Sequence, residues 1–210
     1  GELQRNRVHA YLLKEAPPAI VKNVLEVNCG TGYDAFWMVD KGYHVLATDA
    51  SAQMIAKCQQ KKTAQHRVEF IQTPFQELQK METGMYDVIF SNFGGLNCAP
   101  PNDLKMMAAE FHRLLRPGGK LIAVIMGRKC IIERLYFLFK NDTAKRNRRK
   151  SFHPVKANVA GEMIDIWYYS PKEFAYYMAP FFELTSNKPI GLFLPPSYLD
   201  KNLKKIPGVL

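Results

Sequence analysis

No apolar run in this sequence approaches the 18 or so residues that a bilayer-spanning helix needs. The longest, Leu121 to Met126, has the length of a buried strand. No apolar stretch follows the early Arg5 and Arg7, so a secretory leader is not read there. The chain starts on Gly1 rather than Met, which leaves a preceding segment open. Cysteine is sparse: Cys29, Cys58, Cys98 and Cys130 lie far apart, no two form a CxxC pair, and no histidine stands at metal-ligand spacing. These absences exclude a disulfide framework and a structural metal centre, and they read as reduced thiols in a cytoplasmic protein. Repeats and low-complexity tracts are also missing. What is present is ordinary for a globular protein: 210 residues, 47% hydrophobic and 23% charged, enough for one domain over 1–210.

Charge is unevenly placed. The net charge is +10, and the stretch from Lys140 to Lys150 holds six basic residues against the single acid Asp142, so half of the excess is local. A local excess reads as a patch or a solvated loop. Its functional readings are an anionic substrate, an acyl-carrier partner or RNA. Base stacking calls for interleaved aromatics, and the run has none before Phe152, so nucleic acid is disfavoured.

Short apolar runs alternate with longer amphipathic ones, the pattern of βαβ units on a parallel sheet. Strands are expected at Val24–Asn28, His44–Thr48, Val68–Gln72, Tyr86–Ser91, Lys120–Met126 and Phe181–Thr185, with Ile190–Leu194 as a last strand or a loop. Helices are expected from Asp34 to a stop at Gly42, over Gln53–Lys62 behind an N-cap at Ser51, and over Leu104–Leu115. After Met126 the rhythm breaks. A helix at Cys130–Lys140, the basic run, a hairpin over Val155–Val159 and Glu162–Tyr168, and a helix from Pro171 to about Met178 replace a single connecting helix.

Parallel sheets bind ligands at the carboxyl ends of their strands. There Gly30 and Gly32 let the backbone pass close to a ligand, and Asp49, at the end of the second strand, can accept both hydroxyls of a ribose. Glu26 is unusual: a carboxylate inside a buried strand needs a partner, and a ligand bearing an ammonium group would be one. Gly30-Thr31-Gly32-Tyr33-Asp34-Ala35 also matches the nicotinamide fingerprint GxGxxG/A, but an acid four residues before the first glycine suits a cationic, phosphate-free ligand better.

Leu25–Gly32, with Asp49-Ala50-Ser51 and Met54, resembles the first two motifs of class I S-adenosylmethionine-dependent methyltransferases. Tyr86–Asn92 resembles their fourth-strand motif, and Leu114–Leu121 the turn into their fifth strand. The motifs fall in family order over roughly residues 20 to 126. The resemblance implies a doubly wound, mostly parallel, seven-stranded α/β sheet with S-adenosyl-L-methionine as cofactor and no metal. It implies that Glu26, Asn28, Gly30 and Gly32 surround the methionine part, with Cys29 and Asn92 also in the cofactor site, that Asp49 holds the ribose, and that Ala50 and Met54 pack on the adenine. Pro74 stands where the family often has an acid for the adenine amine, so Gln72 or Gln76 and the Phe75 backbone are the substitutes. Asn28 replaces a more usual glycine. Residues 127–180 would be a mobile cover over a small-molecule acceptor, anionic or carrier-bound, with Phe93, Trp167 and Arg148 as candidate substrate residues and His153 as candidate base. The reaction would be in-line methyl transfer to an O, N or C nucleophile. Two alternatives stay open: a nicotinamide-dependent oxidoreductase, and a catalytically silent S-adenosylmethionine-binding subunit whose basic loop docks a partner or RNA.

Overall fold

A computed structural model describes residues 2–159 and 161–191. Helix α1 (Glu2–Glu15) leads into β1 (Asn23–Val27), α2 (Tyr33–Asp40), β2 (His44–Asp49), α3 (Ala52–Lys61) and β3 (Val68–Gln72). Then come β4 (Tyr86–Ser91), α4 (Pro101–Leu114) and β5 (Leu115–Ala123). The five strands form one sheet in the order β3-β2-β1-β4-β5, every neighbouring pair parallel. The order reverses beside β1, so a crevice opens at its carboxyl end.

Side-chain alternation sends each strand into two cores. Val24, Val88 and Phe90 meet α1 and α2 through Val8, Leu12, Ala35 and Met38. Leu25, Val27 and Ile89 meet α4 through Leu104, Met107, Phe111 and Leu114. The sheet is therefore covered on both faces, which explains why its inner strands are nearly continuously apolar. Helix starts and stops follow the sequence closely. Ser51 caps α3 by accepting from the Met54 amide, and α2 ends before Gly42 at φ 95°. Helix α7 (Pro171–Met178) opens with a Ser170/Glu173 capping box.

Several expectations need correction. Among the described residues the main sheet has five strands, not seven. Strands β6 (Val155–Val159) and β7 (Glu162–Ile166) form a separate antiparallel hairpin, as read from the sequence. The Phe181–Thr185 run is not a strand: Phe181 and Leu184 are exposed, and no ladder pairs it with β5. Ile190 and Gly191 are not in a strand either, and the rest of the expected Ile190–Leu194 element lies outside the described residues. Strand β5 also begins earlier than expected, at Leu115, because the Pro117-Gly118-Gly119 turn is taken into it through a register shift opposite Tyr86 and Val88.

The basic run is not an open loop. It folds as α6 (Thr143–Asn147) and a 3₁₀ turn over Arg148–Lys150, packed on α5 (Ile131–Phe139). Glu133 of α5 is buried, and Arg148 Nε and Arg149 Nη2 donate to its two oxygens at 3.0 and 2.7 Å. A buried carboxylate left unpaired is strongly unfavourable, so these arginines hold the segment in place.

Candidate functional site

The site is built where β1 ends. Asn28, Gly30 and Gly32 all have positive φ (60°, 56° and 76°), which wraps the backbone tightly between β1 and α2. Asparagine tolerates this region better than other side-chain-bearing residues, and that accounts for Asn28 in place of glycine. A Cβ on Gly95 would lie 2.3 Å from the Asn28 Cβ, so Gly95 makes the room Asn28 needs. A Cβ on Gly32 would meet Cys58 Sγ and the Phe70 ring at 3.0 Å.

Asp49 braces the loop. Its Oδ2 accepts from the Gly30 amide at 2.8 Å and its Oδ1 from the Ser51 amide at 2.9 Å. Cys58 donates to the Gly30 carbonyl at 3.3 Å. Burial, then the nearby Glu26 carboxyl, pushes the Cys29 thiol far above its ordinary range, and burial also raises Cys58, so both thiols stay neutral.

Glu26 is buried, with Oε2 lacking a hydrogen-bond partner, and the Asn28 Oδ1 is orphaned in the same way. Burial first, and then the Asp34 carboxylate, raises the Glu26 pKa well above the ordinary carboxylate range. Two unmatched buried acceptors in one glycine loop fit a ligand that brings donors, such as an ammonium group. A pyrophosphate here would face a carboxylate.

The N-terminal helix supplies what the sequence reading missed. Asp34, at the start of α2, accepts from Arg5 Nη1 at 2.5 Å, His9 Nε2 at 2.7 Å and Asn92 Nδ2 at 3.0 Å. Burial would raise its pKa, but the bonds from His9, Arg5 and Asn92 hold it below the ordinary value. The Arg5 guanidinium lies between the Tyr33 and Phe93 rings, 4.3 and 4.5 Å from their centroids, and His9 stacks on Trp37 at 3.6 Å. Helix α1 is thereby tied to the start of α2 and to the loop after β4. The available sequence signal was the spacing of Val8 and Leu12, one turn apart and both buried.

Of the sequence-predicted residues, Glu26, Asn28, Cys29, Gly30, Gly32, Asp49 and Asn92 come together around this loop. Ala50 is exposed beside it, with its carbonyl accepting from Gln72 Nε2 at 3.1 Å, and Met54 is half-buried on the first turn of α3. Phe75 is half-buried and packs toward the α4 side. Phe93, at φ 48°, stands beside Arg5 at the mouth. Three others are elsewhere. Trp167 packs on the α4-side core with its amide and carbonyl both bonded to Asn97, Arg148 is engaged with Glu133, and His153 is exposed on the surface. None of the three lines the main groove.

That groove, of about 2340 Å³, runs along β5 and not over the glycine loop. It meets the site at one end, where Arg5, Tyr33, Phe93 and Gly94 face Met126, Gly127, Arg128 and Lys129. Among the described residues no cluster could hold a metal ion, and no helix is long and apolar enough to cross a membrane.

Comparison with known proteins agrees with this geometry. Residues 24–119 match the methyltransferase domain family. A malonyl-[acyl-carrier protein] O-methyltransferase of Enterobacter lignolyticus is 32% identical over 121 residues, 58% of this chain and 45% of that protein. A demethylmenaquinone methyltransferase of Chlorobaculum tepidum is 32% identical over 122 residues, 56% and 48% of the two chains. The chain spans under half the length of these relatives. In fold it is similar to a protein of Pyrococcus horikoshii, with a TM-score of 0.64 at 19% identity, covering 87% of this chain and 83% of the other. Residues 24–119 therefore resemble a methyltransferase domain, and the fold around them is shared with solved structures.

Proposed function

We propose that this protein methylates a small molecule that presents an ionised oxygen, either free or attached to a carrier. The observation that carries this reading is the glycine loop itself: orphaned Glu26 Oε2 and Asn28 Oδ1 lie in the loop that the Asp49 carboxylate braces. Glu26 and Asn28 would take the ammonium end of the cofactor, Asp49 the ribose hydroxyls, and Ala50 and Met54 the adenine. Held there, the cofactor would supply a methyl group already activated on a sulfonium.

The chain's own residues do the positioning. Arg5, Tyr33 and Phe93 stand at the mouth, where they would align the acceptor, and alignment supplies much of the acceleration for a donor that is already activated. The polar groups at the mouth are committed to one another, since His9, Arg5 and Asn92 all bond to Asp34. An acceptor that arrives as an anion needs no base, and Arg128 and Lys129 line the adjoining groove. The relatives named for malonyl-[acyl-carrier protein] and demethylmenaquinone support a small acceptor, and the name of the first specifies oxygen. Residues 127–180 are the cover over it.

The test is transfer of labelled methyl from S-adenosylmethionine to a panel of free carboxylates, acyl-carrier thioesters and quinols. Label should appear in an oxygen acceptor and vanish with Asp49→Ala. Cofactor binding with no transfer to any class would instead make the chain a silent binding subunit.

A further inference from the structure

Helix α5 buries only one side. Glu133 and Phe137, one turn apart, face inward to Arg148, Arg149 and the core. The opposite face carries Ile131, Leu135, Leu138 and Phe139, exposed by 40%, 45%, 46% and 84%. At 100° per residue these four side chains fall within one third of the helix circumference, a continuous apolar stripe. Large apolar side chains scattered singly on a surface need no explanation, but an aligned row does.

The surroundings of the stripe are cationic. Lys129, Arg134, Lys140, Lys145 and Lys150 are exposed and Arg146 is half-exposed. From 127 to 152 the acids are Glu133, buried under the helix, and Asp142, paired with Lys145 at 3.0 Å. The inward arginines neutralise Glu133, so the charge presented outward is almost wholly positive. A convex apolar ridge rimmed by lysine and arginine matches an anionic bilayer surface. Fluid acyl chains adapt to protruding side chains such as Phe139, and the headgroups meet the bases. An acidic protein surface would satisfy the bases but leave four large apolar side chains without a groove to enter.

We infer that α5 is an interfacial anchor that seats this methyltransferase on anionic membrane surfaces. The N-terminal end of α5 adjoins the groove, through Arg128, Lys129 and Cys130, so an enzyme seated in this way would hold the mouth of the groove near the lipid interface. This inference stands on the helix face and the charges around it, whichever acceptor is methylated.

Co-sedimentation tests it, using phosphatidylcholine vesicles with and without phosphatidylglycerol. The chain should sediment with the anionic vesicles only, and added salt should release it as the charges are screened. Leu138→Ser with Phe139→Ser should weaken partition about tenfold or more, the scale of two apolar side chains kept out of the acyl region. Lys140→Gln should weaken it about fivefold. Both variants alter exposed positions, so melting temperature and S-adenosylhomocysteine binding should match the parent, which separates lost anchoring from lost folding. Absence of sedimentation with anionic vesicles overturns the inference. So does sedimentation that ignores the Leu138 and Phe139 changes, or capture by an acidic carrier domain in place of vesicles.

Discussion

Replacing Glu26 by glutamine probes the least satisfied atom in the site. In the ligand-free protein Oε2 is buried without a partner, and burial and Asp34 raise the carboxyl pKa. Between its ordinary value and the raised one, the folded chain holds a proton that the unfolded chain has lost. Stability contributed by this group is therefore full at low pH and falls as pH rises through that window. Glu26→Gln removes the ionisable group, so the free variant should be more stable than the parent near neutral pH by about 1–3 kcal/mol, the scale of an unsatisfied buried polar group. At roughly 2–4 °C per kcal/mol for a chain of this size, melting should rise by several degrees. The gain should shrink toward pH 5. Cofactor binding should move the other way, because the ammonium loses its countercharge: affinity should fall by about 1.5–3 kcal/mol, the worth of a hydrogen bond to a charged group. Since the ammonium favours ionised Glu26, binding to the parent should also release a proton, visible as a calorimetric enthalpy that changes with buffer. Thermal melts across pH with titrations in two buffers read all three effects. A free variant less stable than the parent at neutral pH, or one with unchanged cofactor affinity, would refute the reasoning.

Further outcomes follow from the same structure. Asp34→Asn should cost about 2–4 kcal/mol, toward the low side for a broken buried ion pair because Arg5 is partly exposed; the parent's Asp34 contribution should persist above the ordinary carboxylate pKa and disappear as pH falls through the depressed folded value, which acid-denaturation curves would show. Arg149→Ala should destabilise by about 3–5 kcal/mol, because it strips a buried bond from Glu133, whereas Arg146→Ala should be nearly neutral; urea melts that rank the two equally would contradict the anchoring role. Asn97→Ala should cost about 2–4 kcal/mol, since its side chain donates to the Met126 and Trp167 carbonyls and accepts from the Met126 amide. In hydrogen exchange, amides of 143–150 should already be slowed in the free chain, because Arg148 and Arg149 tie the segment to buried Glu133, while Val24, Leu25 and Ile122 are the slowest; fast exchange over 143–150 that slows only when S-adenosylhomocysteine and acceptor are added would show a mobile cover instead.

The half of the chain up to β5 was readable because its strands are buried on both faces and its turns are marked by residues with one conformational use, such as Gly32, Gly42 and Ser51. The glycine loop and Asp49 were readable for the same reason: chemistry and backbone geometry constrain the same positions. Helix α1 was not read, because its inward face mixes Val8 and Leu12 with buried His9 and with Arg5, whose partners lie on α2 and beyond β4. Local periodicity cannot show that Asp34 gathers Arg5 and His9 from α1 and Asn92 from beyond β4. The basic run misled for a related reason. Arg148 and Arg149 look like solvated charge until α5 places Glu133 beneath them. Phe181–Thr185 has the composition of a strand, but strands form only where a neighbour offers a ladder, and composition does not record that.

Calorimetric titration of S-adenosylhomocysteine into the parent chain and into Asp49→Ala tests the cofactor site most directly. The parent should bind one equivalent, and the variant should bind more weakly by about 1–3 kcal/mol, the scale of losing charge-assisted hydrogen bonds to the ribose and the brace on Gly30. Tight binding of NADH with no heat from either S-adenosyl compound would contradict the account.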